Sequence, residues 1–178
     1  KWIPTVSQSG QDYNIDIIDN KFSEFDLISN SKVSLGININ KHYKFSSNDL
    51  TLSIKIKNTS LKKKFFKYGL EMPFSFYPFE NNINISLNED SLTNSAIKVY
   101  NNIQLLRIND KKHKTKIGIN FNEPCNLFYD NSYLKTRTVL GEENLYQFSL
   151  FVPTWDIVLE SDQEMDLNIT LRIGRNIL

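Results

Sequence analysis

The chain has 178 residues, with 21 Lys and Arg against 20 Asp and Glu, so its formal net charge is +1. That balance gives no electrostatic reason to expect nucleic acid or an anionic membrane surface as partner, and no stretch approaches the roughly 20 apolar residues of a membrane span. Cys125 stands alone, which forbids an intrachain disulfide and a thiolate metal site and fits a reducing, cytoplasmic compartment.

The length suits one domain over residues 1–178. The first residue is Lys1, and the first twenty residues hold no continuous apolar core of the signal-peptide kind. The expectation is an internal or C-terminal fragment, or a processed product. Ala96 is the single alanine, while Ile, Phe, Tyr, Thr and Asn are frequent, a composition that favours strands and turns over helices.

In chain order, Trp2 reads as a cap on the edge of a sheet, and Val33, Leu35, Ile37 and Ile39 give the first period-two run. Asn40-Lys41 reads as a turn, and Ser46 to Asp49 as another. The clearest strand is Leu50 to Lys57, where every even position is apolar and every odd one polar, and Asn58-Thr59-Ser60 closes it. Lys62-Lys63-Lys64 reads as a solvated turn. Ile83, Ile85 and Leu87 alternate again, and the polar stretch from Asn88 to Ala96 suits a loop or one helical turn. Ile117, Ile119 and Phe121 form one later run, and Leu167, Ile169, Leu171 and Ile173 another, with turn signals at Asn109-Asp110, Asp130-Asn131-Ser132 and Gly141-Glu142-Glu143. About a dozen strands, each greasy on one face, predict an all-β fold, a large antiparallel β-sandwich.

Residues able to carry chemistry are few. Six glycines, two histidines and one cysteine do not build a phosphate-cradling loop, a nucleophile elbow or a zinc cluster, and nothing in the sequence calls for a cofactor. A calcium site in loops such as Asn88-Glu89-Asp90 has no spaced motif behind it. His113 lies in Lys111-Lys112-His113-Lys114, a solvated hairpin tip without a partner for the ring, and His42 sits at a strand start. Glu71 falls between Tyr68-Gly69-Leu70 and Met72-Pro73-Phe74, an apolar setting where an ionised carboxylate needs partners, so it is read first as a hydrogen-bonded structural acid and second as a ligand contact. Trp155 and Tyr146 are candidates for stacking on a sugar ring, against the plainer reading that both are core residues of consecutive strands.

Four ordered segments carry a family resemblance: Val33 to Tyr43; Leu50 to Ser60, ending Asn58-Thr59-Ser60; Phe66 to Met72, with Gly69 and Glu71; and Tyr146-Gln147 ahead of Pro153 to Leu159, with Trp155. Together they resemble the C-terminal β-sandwich of α-amylases and 4-α-glucanotransferases of glycoside hydrolase family fifty-seven, a galactose-mutarotase-like fold. The likeness covers roughly residues 30 to 173. It departs from the family between Phe128 and Gly141, where a Pro-rich aromatic stretch is expected. The resemblance implies a non-catalytic accessory domain with an upstream catalytic barrel of the same polypeptide as partner, and α-glucan or another carbohydrate as a ligand touched by Glu71, Tyr146, Gln147 and Trp155. It further predicts an exposed apolar strip where the barrel docks. Two alternatives stand beside it. A mutarotase or epimerase needs a general acid and base in one cleft, for which only His42 or His113 could supply the imidazole, with His42 and Glu71 in one cleft as the arrangement that would support it, and a surface adhesin or structural module needs no site at all.

Overall fold

The computed structural model describes residues 14–21, 24–33, 36–76, 82–92, 98–138 and 141–175. Twelve strands run through them: β1 (Asn14–Lys21), β2 (Glu24–Val33), β3 (Ile37–Phe45), β4 (Asp49–Asn58), β5 (Lys64–Gly69), β6 (Met72–Phe74), β7 (Ile83–Leu87), β8 (Asp90–Ser91), β9 (Val99–Asp110), β10 (Thr115–Thr138), β11 (Gly141–Leu159) and β12 (Glu164–Gly174). All pairings are antiparallel, and no helix occurs among the described residues. The fold is an all-β antiparallel sandwich. Trp2 lies outside the described residues, as do residues 93–97 of the stretch read as loop or helical turn.

One layer has the order β1-β2-β3-β4-β12-β10-β9-β7-β8, and the other is built on β11, which pairs with β5, β6 and β10. The long β10 links them. Its first part lies between β12 and β9, and its second part pairs with β11 from Asn126↔Thr154 to Thr138↔Gly141. Register shifts between Asn120 and Leu127 accompany this change of partner, as bulges that bend a strand do.

The core is one apolar cluster, drawn from alternate residues of both layers. Leu52, Ile54 and Ile56 of β4 meet Leu167 and Ile169 of β12, Ile119 and Phe121 of β10, Leu106 and Ile108 of β9, and Phe151, Ile157 and Leu159 of β11. The period-two pattern at 50–57 and 167–171 therefore dictates which face is buried.

One expected strand and two expected turns behave otherwise. Val33 to Ile39 is not one strand: β2 ends at Val33, and Gly36 turns the chain into β3 with φ +74°. A Cβ at Gly36 would stand 2.9 Å from the Ser60 Cβ, so both conformation and space demand glycine. Asn40-Lys41 lies inside β3, paired with Lys55 and Ile54. Lys41 therefore projects on the Ile54 side of the strand, and burial lowers its ammonium pKa. Asp130-Asn131-Ser132 lies inside β10, opposite Leu150, Ser149 and Phe148. In both places ladder pairing overrides local turn preference.

Candidate functional site

The sequence-predicted residues fall in three places. Trp155 is 5% exposed and belongs to the core, its ring 6.3 Å from that of Tyr68 and 6.1 Å from that of Phe121, while its indole Nε1 donates to the Glu123 carbonyl at 3.1 Å. No ring face is open to a ligand there. Glu71 occupies the two-residue break between β5 and β6, and its side chain is exposed rather than buried among its apolar neighbours. The break follows from pairing: Gly69 sits opposite Thr154 and Met72 opposite Phe151, and Leu70 N–H donates to the Pro153 carbonyl.

Tyr146 and Gln147 lie at a bulge. Ser132 pairs with Phe148 and Tyr133 with Tyr146, which leaves Gln147 as the extra residue of β11. The bulge re-aims Tyr146 onto the core side, where its hydroxyl is 2.9 Å from Ser149 Oγ and donates to the Phe74 carbonyl at 3.1 Å. Ser149 Oγ donates to Asn131 Oδ1 at 2.7 Å, and Tyr129 OH donates to the same oxygen at 2.9 Å. Burial pushes the phenols of Tyr129 and Tyr146 up, against the pull of these hydrogen bonds. Tyr133 packs edge-on to Tyr146 at 5.9 Å and is 46% exposed, so a ring borders solvent beside the exposed Gln147 amide. The amide itself donates weakly to the carbonyls of Leu145 and Tyr146, both at 3.3 Å.

The histidines form no acid–base pair with Glu71. His42 faces away from the core in register with Ser53, on the first layer, whereas Glu71 belongs to the segment paired with β11. His113 does have a partner, contrary to expectation: its Nδ1 is 2.7 Å from Asp110 Oδ2, and Asp110 also accepts from the His113 backbone N–H. Burial raises the Asp110 pKa, yet these contacts together hold it below the usual value. No cluster of three or more His, Cys, Asp or Glu able to hold a metal occurs among the described residues.

Sequence reading missed a groove of about 460 Å³ on the outer face of the first layer, a volume in the range of small-molecule sites. Its floor is Gly118 of β10, which pairs with Arg107 of β9 on one side and Arg172 of β12 on the other. Lys116, Asn109 and Asn84 form the next row in register, and Asn120 and Thr170 the row behind. In the sequence these positions are only the polar alternates of four separate strands. The signal available was Gly118, a glycine inside an alternating strand.

The fold agrees with what known proteins show. Residues 5–169 match the family described as alpha-amylase/4-alpha-glucanotransferase, C-terminal. The chain belongs to that family. Among solved structures it is similar to a putative aldose 1-epimerase from Escherichia coli K12 (TM-score 0.66, 11% identity, 90% of this chain and 68% of that one). It is also similar to a galactose mutarotase-like protein from Lactobacillus casei (0.63, 10%, 92% and 74%). The 4-alpha-glucanotransferase from Thermococcus litoralis aligns with a TM-score of 0.58 at 11% identity over 90% of this chain. The match spans only 22% of that enzyme's length. At such identities the likeness establishes the galactose-mutarotase-like fold. Comparison with curated protein sequences gave no match. No helix among the described residues is long and apolar enough to cross a membrane.

Proposed function

We propose that residues 1–178 form an accessory, non-catalytic sandwich domain of an α-glucan-acting enzyme, which packs on the catalytic barrel of the same polypeptide and contacts the glucan. The observation that carries this reading is the family match over residues 5–169. Two features support it. First, the described lining of the groove contains no carboxylate and no imidazole, the commonest general acid–base groups. Second, the face of β11 turned away from the core carries exposed apolar pairs near its two ends. Leu145 pairs with Leu134 at one end, followed by the half-buried Phe148 and Leu150, and Val158 pairs with Phe65 at the other, beside the Asp156–Lys67 ion pair; all four paired residues are exposed. Exposed cross-strand apolar pairs suit a packed interface better than open water, and the barrel is the partner this reading assigns to them.

The glucan contact is placed at the β11 bulge, where Tyr133 offers a ring next to Tyr146 and Gln147 offers an amide. A ring for the apolar face of a pyranose and a few polar groups for its hydroxyls are the usual ingredients of such a contact. Glu71 remains at its exposed turn, and Trp155 packs in the core against Tyr68 and Phe121, further along β11 from the bulge, and takes no part in this contact.

Calorimetric titration of the chain with maltoheptaose, with galactose and cellohexaose as controls, tests this. The expected result is saturable heat with maltoheptaose alone, weakened roughly three- to tenfold by Tyr133→Ala or Gln147→Ala. Absence of heat with maltoheptaose, or equal heat with all three sugars, would remove the glucan contact.

A further inference from the structure

The outer-face groove lies on the first layer, on the first part of β10 and its neighbours β7, β9 and β12, whereas the bulge lies where the far part of β10 pairs with β11, and the chemistry of the groove differs. Its described lining holds three cations, Arg107, Lys116 and Arg172, and neither a carboxylate nor an aromatic ring. A neutral pyranose would find no stacking surface there. Arg107 Nη1 donates to the Asn88 carbonyl at 2.9 Å, which fixes the guanidinium without neutralising it, and no carboxylate among the described residues pairs with Arg107 or with Lys116. Arg172 Nε meets Asp49 Oδ2 at 3.4 Å, with both side chains well exposed, a pair that costs little to loosen.

Gly118 gives the groove its depth. It sits between Arg107 and Arg172 in the ladder, so the two arginine Cα atoms are about two strand spacings, roughly 10 Å, apart. Its φ is not in the left-handed region, so the backbone does not require glycine. A strand-interior glycine weakens a sheet and often marks a place where a ligand approaches the backbone. Arg107 and Arg172 stand on either side of Gly118 in the ladder and, with Lys116, put three cations on the lining of one groove, the charge that an oxyanion needs. The amides of Asn84, Asn109 and Asn120 and the hydroxyl of Thr170 stand in the adjoining rows, able to donate to and accept from ligand hydroxyls.

We propose that this groove binds an anionic saccharide, its phosphate or carboxylate held between Arg107 and Arg172 over Gly118, with Lys116 adding charge and the asparagines reading the ring hydroxyls. Carbohydrate is the ligand class in this proposal as in the glucan-binding reading, but the residues, the ligand charge and the test are separate.

The test is calorimetric titration of the chain at low ionic strength with glucose 6-phosphate, glucuronate, glucose and inorganic phosphate. Saturable binding of glucose 6-phosphate or glucuronate is expected, with no heat from glucose and at least tenfold weaker binding of inorganic phosphate. Arg107→Gln should weaken the bound anion at least about tenfold, and Gly118→Val should abolish binding. Circular dichroism and thermal midpoint of Arg107→Gln should match the wild type, so that a folding defect in Gly118→Val leaves the test intact. Added salt should weaken binding. The proposal is overturned if neither anionic sugar binds, if inorganic phosphate binds as tightly as the sugar phosphate, or if Arg107→Gln binds like wild type. Maltoheptaose distinguishes the two readings: heat that survives Arg107→Gln and is lost in Tyr133→Ala belongs to the bulge. Sugar phosphate binding without any maltoheptaose heat keeps the groove and removes the glucan contact.

Discussion

Changing Asn58 to alanine removes a fully buried side chain from the end of β4. Its Nδ2 reaches the carbonyls of Lys62 at 2.8 Å, Leu159 at 3.1 Å and Glu160 at 2.9 Å, and its Oδ1 accepts from the Ser60 N–H at 3.0 Å and the Ser60 hydroxyl at 2.7 Å. The carboxamide thus ties the β4 turn to the end of β11. Nδ2 has only two hydrogens for three carbonyls, so about four bonds are formed in full. At about 1 kcal/mol each, Asn58→Ala should destabilise the chain by about 4 kcal/mol, a large share of the roughly 5–15 kcal/mol of a typical domain. Asn58→Asp should be worse at neutral pH, because a carboxylate would face three carbonyl oxygens. That setting raises the folded-state pKa above the unfolded value near 3.9, so the deficit from charge is full above the folded pKa and shrinks as pH falls through it. Urea denaturation followed by Trp fluorescence at pH 7 and pH 5 measures both. A loss below about 1 kcal/mol for Asn58→Ala, or a pH-independent deficit for Asn58→Asp, would refute the reasoning.

Gly36→Ala should cost about 1–3 kcal/mol in the same assay, since φ +74° and the Ser60 Cβ at 2.9 Å both oppose a side chain. Cys125 is buried and its thiol pKa is pushed up to about 12, so it should stay unlabelled by a thiol reagent at pH 8 until urea unfolds the chain; fast labelling of the native protein would contradict its burial. The raised phenol pKa values of Tyr129 and Tyr146 make stability fall as pH climbs past about 10, and a Tyr129→Phe, Tyr146→Phe double variant should flatten that alkaline loss. Equal alkaline slopes would sink that assignment.

What was legible in the sequence was the buried face of each strand. Strict alternation at Leu50 to Lys57 and at Leu167 to Ile173 placed β4 and β12 because a one-residue slip would turn the whole apolar set to water. Pairing order was not legible: β4 lies beside β12 more than a hundred residues later, and alternation says nothing about which strand comes next. Turn signals misled at Asn40 and Asn131, where neighbouring strands supplied ladder partners, and the turn at Gly36 was hidden inside an apparently continuous alternation. Glu71 looked buried because its sequence neighbours are apolar, yet the break between β5 and β6 points it outward. The groove was invisible for a related reason, since Arg107, Gly118 and Arg172 meet only through the ladder.

The most direct measurement of the central claim, that this sandwich contacts carbohydrate, is an amide chemical-shift map of the ¹⁵N-labelled chain titrated with maltoheptaose. The account predicts saturable shifts clustered at Tyr133, Tyr146 and Gln147 of the β10–β11 bulge. A spectrum unchanged by maltoheptaose, or shifts confined to strands far from that bulge, would contradict it.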